Sequence, residues 1–218
     1  MGVLETASRI IQLGGAPEHA PHVAALRSRF EARAGAFVPE DAWFEERSRA
    51  FWCDALTLGR FGRQVEGALT MVERAHLDSL ERAHRGLFRA EGGRLIVDQL
   101  GGGEFVVSEL DADSSTELDA ASGQLFDGRL VGLDEPPVVA LLPGAVFHPR
   151  HATPAIGRVL VSARAAGLSP DDTLDALLRM ERTLRALARV TAAYAYRVDA
   201  LGLLDRAGPV RGPPKALR

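Results

Sequence analysis

The chain has 218 residues, 46% of them hydrophobic and 25% charged, with a net charge of −3. That composition excludes global disorder, a collagen-like repeat and a disulfide scaffold, and the length suits one large domain or two small ones. No apolar run approaches the ~20 residues of a membrane helix, the N-terminus lacks a secretory pattern, and Cys53 is the only cysteine, so a cytoplasmic protein is expected. Apolar residues at Val3, Ala7, Ile10 and Ile11 predict a helix over 3–13, stopped by Gly14-Gly15. A second helix is expected over 17–34, with Val23, Leu26 and Phe30 on one face and Gly35 at its end. A third runs from Pro39 to about Leu58, with Glu40 and Asp41 in its first turn, where acids suit the helix dipole. A fourth follows the break at 59–62 and continues to about Arg85 on a stripe of Val65, Leu69, Val72, His76 and Leu80.

From Gly86 the period shortens and turn residues recur. Five strands are expected, over 87–90, 94–100, 104–109, 124–133 and 138–146, with turns at Gly92-Gly93, at 101–103 and at 134–137. With no helix between them, five short antiparallel strands favour a small barrel over a flat sheet, because closure removes edges. Helices return at Thr153-Pro154 and at Ser169-Pro170, each a cap residue followed by proline. The second is expected to reach Leu201. Leu177, Met180, Leu184, Leu187, Thr191, Tyr194, Val198 and Leu201 step alternately by three and four, as in a heptad seam.

The expected fold class is therefore α+β. An N-terminal helical region (1–85) precedes a small five-stranded antiparallel barrel-like module (86–149). A C-terminal helical hairpin with a long heptad helix (150–205) packs against the first region, and a disordered basic tail (206–218) follows. Charge divides along the same lines. Residues 86–149 carry 3 basic and 11 acidic groups, whereas 150–218 carry 12 basic and 6 acidic. An acidic barrel repels phosphate, which argues against nucleic acid as its partner.

One short repeat bears on chemistry: Glu73-Arg-Ala-His76 and Glu81-Arg-Ala-His84. Glu-x-x-His is the pair that di-iron bundles place on each of two helices. Here both copies are expected on one helix. Eight residues advance ~12 Å and turn the face by ~80°, so the two pairs cannot serve one dinuclear centre. A solvated helix face with charge pairs is the favoured reading, and no cofactor is expected; Glu73, His76, Glu81 and His84 stand as the metal candidates. The acidic stretch 111–119 lacks the glycine and the final glutamate of a calcium loop and reads as a solvated hairpin loop. His148 and His151 have no third ligand nearby in sequence, whereas a zinc site needs at least three from the protein. The glycines at 101–103 do not open a helix or lead to Gly-Lys-Ser/Thr, so they are no phosphate loop. Cys53 reads as a small core hydrophobe, and no Gly-x-Ser-x-Gly elbow is present.

Arg85-x-x-x-Arg89 has the lead-in spacing of a cyclic-dinucleotide-binding PilZ barrel, but the Asp/Asn-x-Ser-x-x-Gly turn of that family is missing. The series Leu95, Val97, Asp98, Leu100 and Gly102, followed by Gly123, Leu125, Phe126, Gly128, Arg129, Leu130 and Val131, resembles a small-barrel module of poorly characterised bacterial proteins. That resemblance covers about a quarter of the chain and implies a fold without an activity.

The function expected is that of a non-enzymatic bacterial adaptor or regulatory protein with a protein partner, self-associating as a homodimer. The interface is expected at Leu187, Tyr194 and Leu201. The neighbouring helix spans only ~20 Å, against ~37 Å for the seam, and so leaves part of it uncovered. The alternatives are a metal-binding helical-bundle enzyme or storage protein using Glu-x-x-His, and a nucleic-acid-associated protein using the basic C-terminal region.

Overall fold

The computed structural model describes residues 2–133, 135–187 and 189–201. The first layer is helical: α1 (Val3–Gly14), α2 (Ala20–Ala34) and α3 (Phe44–Leu56) enclose Ile10, Phe30, Phe51 and Leu56. The third helix begins at Phe44 rather than Pro39. The Asp41 carboxylate accepts the Val38 N–H at 2.9 Å, and its carbonyl accepts the Phe44 N–H at 2.9 Å. An aspartate that bonds local backbone offers the chain a turn in place of a helix.

The fourth expected helix is broken into α4 (Phe61–Gln64), a 3₁₀ turn (Glu66–Ala68), α5 (Met71–Ala75) and α6 (Leu77–Glu81). A capping box causes the restart at Thr70. Its N–H donates to Glu73 Oε2 at 2.7 Å, and its hydroxyl accepts the Glu73 N–H at 3.3 Å. Val65, Leu69 and Leu80 are buried as expected, but Val72 faces solvent, because the stripe does not run through one continuous helix.

Six strands form one mixed sheet: β1 (His84–Gly92), β2 (Leu95–Asp98), β3 (Glu104–Glu109), β4 (Leu125–Gly132), β5 (Val138–Leu141) and β6 (Val146–Phe147). The first five close a ring in the order β1-β2-β3-β5-β4, with β1 pairing back to β4, and β6 adds to β4. The expectation of antiparallel pairing throughout fails at β3–β5, which are parallel. Parity demands this: directions cannot alternate around a closed ring with an odd number of strands. The chain crosses from β3 to β4, which pairs with β1 and leaves room for β5 beside β3, through α7 (Ala112–Ala120), in the stretch expected to be an acidic hairpin loop. Asp111 caps α7, its carboxylate accepting the Ser114 N–H at 2.9 Å and the Ser114 hydroxyl at 2.8 Å. Leu118 and Ala121 then join the ring's core with Phe88, Ile96, Val107, Phe126 and Leu141. Gly86 and Gly128 face each other in register across β1 and β4. A Cβ on Gly86 would lie 2.6 Å from the Phe88 ring, so the aromatic core of the ring requires glycine there.

The C-terminal part contains α8 (Thr153–Ala165), α9 (Pro170–Ala186) and α10 (Ala192–Ala195). Ser169 caps α9 as its sequence implies, its hydroxyl accepting the Asp172 N–H at 3.1 Å. The long heptad helix is not formed: α9 stops at Ala186, Leu187 is extended, and Thr191 caps α10 by accepting the Tyr194 N–H at 3.3 Å. The physical reason lies in what the turn buries. Ala192, Ala195, Tyr196 and Leu201 fold back onto Leu87, Leu125, Ile156, Val159 and Leu177, contacts that a straight helix could not make. α9 itself packs on α2 and on β1. The expected basic tail over 206–218 lies outside the described residues. No described helix is long and apolar enough to cross a membrane.

Candidate functional site

Strand β1 starts three residues earlier than its apolar pattern implies, and this places His84 and Arg85 on opposite faces of the strand. Arg85 lies directly across from Arg129 of β4, two like charges that repel unless counter-ions intervene. Three aspartates supply them. Asp127 takes Arg85 with two bonds, Nη2 at 2.8 Å and Nε at 3.3 Å. Asp175 of α9 accepts Arg85 Nη1 at 2.8 Å and Arg33 Nη1 at 3.3 Å. Asp54 of α3 accepts Arg33 Nη2 at 2.6 Å on one oxygen and Arg129 Nη2 at 2.6 Å on the other.

The result is an alternating chain, Asp127–Arg85–Asp175–Arg33–Asp54–Arg129, that leaves the sheet through α9, α2 and α3 and returns to β4. Apart from Arg33 its side chains are buried. Buried charge is tolerated only when paired and hydrogen-bonded, and here each aspartate serves two arginines or is bound twice by one. Burial opposes the charge on Arg85, yet Asp127 and Asp175 together hold its pKa above the ordinary arginine value. Cys53, next to Asp54, is buried, and burial pushes its thiol up to about 11, so it is no nucleophile at neutral pH.

Against this chain opens a cleft of about 330 Å³, lined by Thr57, Arg82, His84, Arg85, Arg129 and Asp171. It sits where the end of α3, the α6–β1 junction, β4 and the first turn of α9 meet. His84 Nε2 and Asp98 Oδ2 are 2.9 Å apart. Asp98, at the end of β2, is 3% exposed, and its other oxygen accepts the Leu100 N–H at 2.9 Å. The imidazole rests edge-on to Phe88 with ring centroids 5.9 Å apart, and its side chain is 48% exposed. The bond to Asp98 raises the His84 pKa; burial works against this, and the charges of Asp98 and Asp171 add to it. Burial would raise the Asp98 carboxyl, but hydrogen bonds from His84 and from the N–H groups of Leu100 and Gly101 hold it below the usual range. On the rim, Glu81 is paired with Arg63 at 2.5 Å, whereas Arg82 is exposed and makes no ion pair with a described residue.

A second polar group is sealed inside. Arg47 of α3 pairs with Glu181 of α9 and donates to the Leu178 carbonyl at 2.8 Å; both side chains are almost wholly buried. Arg185 bonds Glu181 and reaches Glu46 at 2.6 Å. Nearby, His148 Nδ1 and the Tyr196 hydroxyl are 2.8 Å apart. Burial pushes His148 down to about 4 and Tyr196 well up, so both are neutral. Neither His148 Nε2 nor Arg47 Nη1 has a partner among the described residues.

The four metal candidates do not share a helix. Glu73 is spent in the capping box of α5, and His76 Nδ1 lies 2.7 Å from the Thr6 hydroxyl. Glu81 ends α6 and His84 begins β1, because the ladder to β4 takes up the chain from His84. Only Glu81 and His84 meet, at the cleft. Among the described residues no group of three or more His, Cys, Asp or Glu side chains could hold a metal ion. Of the expected interface residues, Leu187 and Tyr194 are exposed and Leu201 is buried. Arg33, Asp54, Asp98, Asp127, Arg129 and Asp175 escaped the sequence. The one legible signal was Asp127 and Arg129 at two-residue spacing on one face of an otherwise apolar strand. No protein-family model, curated protein or solved structure matches the chain.

Proposed function

We propose that this chain is a non-enzymatic regulatory protein that binds a small anion, a carboxylate or phosphate, in the cleft beside His84. The observation that carries the reading is the convergence of Arg82, Arg85 and Arg129 with a histidine on one cleft. Arg82 is the exposed cation among them, while Arg85 and Arg129 behind it are held by Asp127, Asp175 and Asp54, so the wall of the cleft is fixed and loses little side-chain entropy on binding. The same two arginines belong to the chain that joins α2, α3 and α9 to the sheet, so an occupied cleft biases the fit between helices and ring. The single cysteine supports a cytoplasmic setting for this reading.

Titration of the protein with inorganic phosphate and pyrophosphate, followed by melting temperature and amide chemical shifts, tests the reading. Both are expected to raise the melting temperature, less so at high salt, because screening weakens an exposed contact. Arg82→Gln removes an exposed cation without disturbing the buried chain and is expected to weaken binding about tenfold. Absence of any shift at residues around the cleft refutes it.

A second reading, partner binding or homodimerisation, is favoured by Leu187, Tyr194 and Val198, which are 46%, 50% and 44% exposed within one short stretch. Leu187→Glu with Tyr194→Glu is expected to abolish self-association while changing stability by only about 0.5 kcal/mol, as at other exposed sites. A wild-type chain that sediments as a monomer at high concentration rules out the homodimer.

A further inference from the structure

We infer that His84 accepts a phosphoryl group on Nδ1, which makes the cleft a phosphohistidine site; the inference rests on the anion-binding reading of that cleft. Three observations point there. Asp98 is buried and fixed by the Leu100 N–H, and it occupies His84 Nε2. A carboxylate bound at one ring nitrogen keeps the proton there and leaves the lone pair on the other. Nδ1 makes no hydrogen bond to a described residue, and the side chain is half exposed, so a donor can reach it. Finally, Arg82, exposed and without an ion pair to a described residue, lines the same cleft, where a cation can hold the oxygens of the incoming phosphoryl group.

The groups around the cleft include both signs. Arg82 comes from the α6–β1 junction, while Arg85 of β1 and Arg129 of β4 lie on the strand face opposite to His84 and are paired with Asp127, Asp175 and Asp54. Glu81 comes from the end of α6, Asp98 from β2 and Asp171 from the start of α9, and the charges of Asp98 and Asp171 act on the ring. A bonded carboxylate offsets the positive charge that the ring acquires on attack, as it does for other catalytic imidazoles. With phosphoramidate as donor, the Nδ1 lone pair forms the new P–N bond while the donor's P–N bond breaks. Ammonia leaves with the donor's own hydrogens, and Nε2–H stays on Asp98. Only the neutral imidazole attacks and only the N-protonated donor releases ammonia, so the rate rises with pH through the His84 pKa and falls again where the donor loses its ammonium proton.

The experiment treats the full chain with phosphoramidate and measures intact mass under alkaline conditions. One phosphoryl group is expected, stable in alkali and lost in acid, absent from His84→Gln and retained by His76→Gln. Asp98→Asn is expected to slow labelling about tenfold, the worth of one charge-assisted hydrogen bond. Fragment mass spectra of the labelled wild type place the group directly, so the outcome does not depend on how the variants fold. Denatured chain, with its six histidines equally open, should label without preference. No label, or label spread over other histidines in the folded protein, overturns the inference. Phosphate titration run in parallel separates the claims: binding without labelling removes the phosphohistidine site and keeps the anion site, whereas absent binding removes the anion reading.

Discussion

Glu181→Leu is expected to destabilise the protein by about 3–5 kcal/mol, the cost of leaving a buried charge without its partner. Arg47 is 2% exposed and one of its nitrogens already lacks a hydrogen bond among the described residues, so it has nowhere to turn when Glu181 is removed. Arg185 also bonds Glu181, but it is partly exposed and keeps Glu46. Arg47→Met should lose less, because Glu181 keeps Arg185 as its partner. The double variant should recover most of the loss, since a buried pair replaced by apolar groups of similar volume is often neutral. Urea unfolding of the four proteins measures this as a double-mutant cycle. Single variants that lose under ~1 kcal/mol, or a double variant that loses the sum of both, would show that the pair is not electrostatically isolated.

The second large effect is on pH dependence. Burial sets His148 at about 4 in the folded protein, against 6.5 for an ordinary histidine. Above pH 6.5 neither state binds the proton and stability is full. Between 6.5 and 4 the unfolded chain binds a proton that the folded one refuses, so stability falls as pH falls. The slope approaches ~1.4 kcal/mol per pH unit, and the loss stops below pH 4, where the folded state protonates too. Arg47 and Arg185 oppose a charge on His148, while Asp127 favours it weakly. His84 acts in the opposite sense. Its raised pKa gives stability that is complete below 6.5 and disappears as pH rises through its folded value. Its exposure makes that contribution the smaller of the two. His148→Gln should therefore flatten the acid side of the stability profile. An unchanged acid slope would assign it to carboxylates instead.

Local stereochemistry was legible wherever a residue acts on its own neighbours. Ser169 before Pro170 capped a helix and the glycines at 92 and 93 turned a hairpin; α8 does open at Thr153-Pro154, but Thr153 is its first residue and the capping position is Ala152, which has no hydroxyl to cap with. The α+β class and the place where helices give way to strands follow from the change of period alone. The heptad series misled because three-and-four spacing describes a face, not a length. Tertiary burial of Tyr196 and Leu201 outweighed continuation past Ala186. The parallel β3–β5 pair follows from closure of an odd ring, and closure is a property of the whole sheet.

The site lay furthest from reach. Glu73, His76, Glu81 and His84 stood out because a repeat is visible in one dimension, yet Glu73 is used by a cap and His84 by Asp98. Arg33 and Asp175 are 142 residues apart, and Arg129 and Asp54 are 75 apart. By itself the sequence determined the fold class, the Ser169 cap, the hairpin turn at Gly92-Gly93 and the absence of any local nucleophile motif. Only the tertiary structure decided which charges meet: an ion pair depends on distance in space, and no periodicity along the chain encodes contacts between elements so far apart.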